Sequence, residues 1–158
     1  MKKLITVLTA AFLLTSCAAK TTASDSGSDI SEKHELVCSS EQNVFEMEAF
    51  CFSENGDHII ECSISNTSDD ELAVNFSHSV FVCDINDMVN PTAYGTVEEV
   101  TFQPHETKSF TFNAVNAVTD TADELKIYGS CVLEITNSSE YDCYNTIHIE
   151  PFELSDNT

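Results

Sequence analysis

The sequence predicts an all-β chain, an antiparallel β-sandwich of seven to nine strands. Two observations carry that prediction. From about residue 36 onward, short runs rich in Val, Ile, Phe and Thr alternate apolar and polar side chains with period two, the pattern of half-buried strands. Turn signals interrupt those runs every 8 to 12 residues, and no helical periodicity intervenes.

In the first run Phe45, Met47, Ala49 and Cys51 alternate with Glu46, Glu48 and Phe50, which gives one apolar and one mixed face. Asn55-Gly56 follows, a dipeptide that favours a primed two-residue hairpin because both central positions need positive φ. The return strand, His58 to Ser65, puts Ile60, Cys62 and Ile64 on one face and Glu61 and Ser63 on the other. Asn66-Thr67-Ser68-Asp69-Asp70 is a turn cluster of short side chains that bond their own backbone. Leu72, Val74 and Phe76 then alternate. Val80 to Ile85 is nearly continuous apolar sequence, as in a strand covered on both faces.

Asn86-Asp87 and Asn90-Pro91 break that run. Val97 to Phe102 and the stretch around Phe110 and Phe112 predict two strands about the Gln103-Pro104-His105-Glu106 turn. Leu125, Ile127, Cys131 and Leu133 form another, and Ile147 and Ile149 with His148 between them the last. Pro151 has no N–H for a ladder, so this strand is expected to end there or to run along an edge. The number and spacing of strands fit an immunoglobulin-like sandwich, although a chain without tryptophan lacks that fold's buried indole.

The start of the chain reads differently. Lys2 and Lys3 precede eleven uncharged residues, Leu4 to Leu14, and small residues lead into Cys17. This is the layout of a secretory signal. As a helix the run spans roughly 16 Å against a hydrocarbon core of about 30 Å, too short for a stable span. Leu14-Thr15-Ser16-Cys17 resembles the lipobox of bacterial lipoproteins. The resemblance implies cleavage before Cys17, a diacylglyceryl group on its thiol, and acylation of the new amino terminus. Two or three acyl chains, at about 0.8 kcal/mol per buried methylene, anchor a protein that a single chain barely holds. Residues 1–16 are therefore expected to be the signal peptide. Residues 17–35 are the lipidated cysteine with a small, polar, flexible tether, and residues 36–155 the sandwich.

After processing, Lys20, Lys33, Lys108 and Lys126 remain against 27 acidic residues with no arginine, for a formal charge of −23. A surface of that sign repels phosphate backbones, which argues against nucleic acid and leaves cations or a basic protein surface as partners. With Cys17 committed to lipid, six cysteines remain, enough for three bridges in 15 connectivities. Cys131 and Cys143 are symmetric about residue 137, so a hairpin turn at 136–139 would set them opposite each other for a disulfide. No Cys-x-x-Cys is present, which argues against a thioredoxin-like motif or a compact zinc knuckle.

The middle of the chain resembles the immunoglobulin-like domains of unknown function in Gram-positive lipoproteins, including the group labelled FxLYD. The matching pieces are the strand His58 to Ser65, Asn66-Thr67-Ser68 with Leu72 and Val74, Phe81 with Asp84, and Pro104-His105-Glu106-Thr107 followed by Phe110 and Phe112. His105 stands where that family has glycine: a type II turn would force positive φ on it, whereas a type I turn accepts histidine. The resemblance implies an extracytoplasmic, non-catalytic domain and brings no active-site residues with it.

Two metal readings complete the sequence. Asp69, Asp70 and Glu71 with Asp84, Asn86 and Asp87 would have to converge at one end of the sandwich to hold calcium. A copper or zinc site would need His58 or His148 together with a cysteine or Met47 across strands. Neither has a local ligand motif, and no metal or other cofactor is expected. No nucleophile elbow, Walker loop or dinucleotide fingerprint occurs, so an enzyme is not expected either. The function expected is a membrane-anchored, extracytoplasmic binding or structural module for an unknown protein or small ligand, with metal binding as the alternative.

Overall fold

A computed structural model describes residues 31–86, 95, 97–118 and 124–154. The signal, Cys17 and most of the tether lie outside these residues. Ten strands occupy them: β1 (His34–Leu36), β2 (Cys38–Ser40), β3 (Phe45–Glu54), β4 (Asp57–Asn66), β5 (Leu72–Asp84), β6 (Glu98–Phe102), β7 (Thr107–Asn113), β8 (Val115–Asn116), β9 (Leu125–Ile135) and β10 (Tyr144–Leu154). One sheet has the order β1-β3-β4-β7, and the other β2-β10-β9-β5-β6 with β8 beside β5. All pairings are antiparallel except β5 with β8. The fold is an antiparallel β-sandwich. The neighbours β3-β4-β7 and β10-β9-β5-β6 follow the A-B-E and G-F-C-C′ orders of immunoglobulin-like domains. The strand count exceeds the expected seven to nine because β1, β2 and β8 are only two or three residues long.

The hairpin at Asn55-Gly56 has positive φ at both residues, 54° and 89°, and closes on the Glu54–Asp57 pair. Its inward rows, Phe45, Met47, Ala49 and Cys51 on β3 and Ile60, Cys62 and Ile64 on β4, are buried. Facing them from the other sheet are Leu72, Val74, Val80 and Val82 of β5, Ile127, Cys131 and Leu133 of β9, and Ile147 and Ile149 of β10. Phe45 and Phe102 meet edge to face at 5.3 Å, an aromatic contact that contributes about 1 kcal/mol beyond its buried area.

One expectation changes here. The alternating run at 72–76 and the apolar run at 80–85 belong to one strand, β5, because Ser77-His78-Ser79 keeps the extended phase between them. In its second half Val80, Phe81, Val82 and Cys83 are all buried, so this part is covered on both faces, the outer one by Tyr128 and Ala117. Pro151 does not end β10, but the alternative holds: β2 pairs with β10 only as far as Ile149, so the strand runs along the sheet edge there. The register shifts between Ile149 and Phe152, so the proline sits in an irregularity where no ladder N–H is needed, and pairing with β9 resumes at Phe152.

Candidate functional site

The chain leaves the second sheet at the end of β2 and enters the first at the start of β3. Along that crossing runs an open groove of about 520 Å³. Cys38 and Ser40 of β2 line it, together with Glu46, Met47 and Glu48 of β3 and Ser65 of β4. The alternation of β3 explains the mixture: Phe45 and Met47 point inward, and Glu46 and Glu48 outward into solvent. Ser65 and Thr107 add hydroxyls that bond each other at 2.7 Å. The groove thus offers carboxylates and hydroxyls around a small apolar floor.

The sandwich pole nearest β4's end carries a polar network. Asn66 is 1% exposed, and its Nδ2 donates to the carbonyls of Asp70 (2.8 Å) and Gln103 (3.1 Å). Its Oδ1 accepts from the Ser68 N–H at 3.0 Å. This ties the 66–70 turn to the 103–106 turn. In the latter, the Glu106 N–H donates to Gln103 O at 3.0 Å, and His105 has φ of 59°, so the turn follows the type II pattern with histidine in the glycine position. The Gln103 N–H and Lys108 Nζ both donate to the Glu106 carboxylate, in that order of effect holding its pKa below the usual value.

The alternative calcium reading fails on distance. Asp69 is bonded to His105, Asp70 to Tyr141 and Glu71 to Gln103, all at this pole. Asp84 lies at the far end of the 13-residue β5, and at about 3.3 Å per residue the two acidic groups are roughly 40 Å apart. There the Asp84 carboxylate accepts from Asn86, while Asp87 lies outside the described residues. The copper ligands are also scattered. His58 Nδ1 is 3.0 Å from Ser53 Oγ, His148 is exposed on β10, and Met47 lies opposite Ile64. Among the described residues, no three His, Cys, Asp or Glu side chains are gathered for a metal ion.

The expected Cys131–Cys143 bridge is not formed either. The β9–β10 register sets Tyr144 against Glu134 and Ile147 against Cys131, centring the hairpin on residue 139 instead of 137. Cys143 is exposed beside Ile135, to whose N–H its carbonyl accepts at 2.7 Å, while Cys131 is fully buried. The thiol that Cys131 does meet is Cys62, on the facing sheet, and the two share a hydrogen bond. That bond, then burial, pushes the Cys131 pKa well above the ordinary thiol value. Cys38, at the margin of the groove, donates to Leu36 O at 3.7 Å and is pushed up to about 11, first by burial and then by Cys62. Sequence spacing gives no sign of the Cys62–Cys131 contact, because it crosses between sheets. The available signal was phase: Cys62 alternates with Ile60 and Ile64, and Cys131 is in phase with Leu133.

Two smaller clefts flank the sandwich. One of about 330 Å³ is lined by Phe76, His78, Glu98, Phe110 and Phe112, and the other, of about 440 Å³, includes His34, Phe52, His58 and Phe152. Burial lowers the pKa of both His58 and His78, against weaker opposing effects of Asp57 and Glu98. Among the described residues no helix is long and apolar enough to cross a membrane.

No family model matches the chain, and no curated protein does. Among solved structures it is similar to the X-ray structure of Northeast Structural Genomics Consortium target SoR45. The two share 17% identity over 82% of this chain and 85% of the other, with a TM-score of 0.44.

Proposed function

We propose that the chain is a lipid-anchored, extracytoplasmic lipoprotein whose sandwich acts as a non-catalytic binding or structural module. The observation that carries this reading is the sequence Leu14-Thr15-Ser16-Cys17 after a basic start and an eleven-residue apolar run, placed ahead of a polar tether and one sandwich. Acyl chains on Cys17 hold the protein on the outer face of the membrane. The small, polar sequence that follows Cys17 is the tether that spaces the sandwich from the headgroups.

The groove between β2 and β3 is the surface assigned to binding. Glu46 and Glu48 beside the Ser65 and Thr107 hydroxyls suit a positively charged, hydrogen-bonding partner, and the acidic surface draws such a partner from a distance. Cross-linking in intact cells tests this. A partner captured by the wild-type chain is expected to be lost when Glu46→Gln and Glu48→Gln are combined. Capture unchanged by the double substitution would place the binding surface elsewhere.

A further inference from the structure

We infer that Cys62 and Cys131 are the two ends of an inter-sheet disulfide. Cys62 belongs to β4, in the interior of the first sheet with β3 and β7 on its two sides, and Cys131 to β9, between β10 and β5 in the second. Both side chains point into the shared core, 3% and 0% exposed. Their thiols are already in hydrogen-bonded contact, so joining them needs no change of register in either sheet.

The other cysteines are placed less well. Cys51 lies two rungs along β3 from Ala49, the residue paired with Cys62. Cys83 is on the outer face of its sheet with Phe81 and Tyr128, and Cys143 is exposed just before the start of β10. Cys38 is the real competitor, since it is electrostatically coupled to both thiols, but it sits on the short edge strand with its own thiol turned to Leu36 O.

The bond forms by exchange with an external disulfide. One thiolate attacks that disulfide and releases one thiol, and the second cysteine then displaces the other. The result is one Sγ–Sγ bond in the protein, two reduced external thiols, and no net change in protons. The reacting thiolate is scarce in the folded core, where burial and the thiol contact favour the protonated form. Exchange therefore belongs to the folding chain, as β4 and β9 come together, and the finished core then shields the product.

The full chain, unfolded and refolded in mixed oxidised and reduced glutathione, tests the assignment. After alkylation and proteolysis, a Cys62–Cys131 cross-linked peptide is expected, with Cys38 alkylated and the denaturation midpoint above that of the reduced protein. A bridge from Cys38 to either residue, or alkylation of both Cys62 and Cys131, would overturn it. Cys38→Ala is expected to give the same cross-link in the same yield, and its loss in that variant would also overturn it. With Cys62→Ala the oxidant should no longer move the midpoint, and a shift that persists would locate the stabilising bond elsewhere.

Discussion

The imidazole of His78 stacks on the ring of Phe112, with centroids 3.8 Å apart and 16° between planes. Residues from the two sheets thereby meet at an edge of the sandwich. Burial lowers the His78 pKa more than Glu98 raises it, so the unfolded chain takes up a proton at a higher pH than the folded one. Stability should therefore fall as pH drops below about 6.5, until the folded-state pKa is passed. His58 contributes with the same sign. Urea unfolding at pH 7.5 and 5.5 measures the loss, and His78→Phe, which keeps a ring against Phe112, should reduce it.

His105 holds a left-handed backbone, φ 59°, in a turn that prefers glycine. Its contact with Asp69 is solvent-exposed on both sides and contributes little. His105→Gly should therefore stabilise the protein by about 0.5 kcal/mol, whereas His105→Val, β-branched at positive φ, should cost about 2 kcal/mol. Denaturant midpoints of the two variants should move in opposite directions.

Asn66 is the joint between the 66–70 and 103–106 turns. Replacing it with alanine removes two donated bonds and two accepted bonds, from the Ser68 N–H and hydroxyl, at a buried position, leaving carbonyls of Asp70 and Gln103 without that donor. A loss of about 3 kcal/mol is expected from equilibrium unfolding. Asn66→Asp should also destabilise, since a carboxylate cannot donate to either carbonyl.

Gly129 pairs with Val80 where β9 and β5 approach closely. A Cβ there would stand 2.1 Å from Ser79 O and 2.6 Å from Val80 Cα, both backbone atoms that cannot swing away. Gly129→Ala should cost about 3 kcal/mol, at the upper end of the usual overpacking range. Faster amide exchange across the β5–β9 ladder would accompany it.

Local chemistry made much of the fold legible in the sequence. Asn55-Gly56 and the alternation on either side specify the first hairpin, since turn type and inward rows depend only on neighbouring residues. β5 was harder: Ser77-His78-Ser79 resembles a break in composition, yet extended phase continues through it because pairing with β9 is unbroken there. Pro151 likewise marked a strand end or an edge by its own chemistry, and the ladder took the second course, carrying it past the last β2 pair in an irregularity. Contacts between sheets left no spacing signal. The Cys62–Cys131 contact, the joining of two turns by Asn66, and the separation of Asp84 from Asp70 all depend on how strands are ordered and how long they are. A shift of two residues in the hairpin centre, from 137 to 139, was enough to misplace Cys143 opposite Cys131.

The most direct measurement is mass analysis of the amino-terminal peptide of the protein recovered from cell membranes, beside membrane fractionation of Cys17→Ala. The peptide should begin at Cys17 and carry a thioether-linked diacylglyceryl group, and the alanine variant should leave the membrane fraction. An unmodified Cys17 thiol, or a Cys17→Ala protein still firmly membrane-bound, would contradict the lipid anchor on which the proposed function rests.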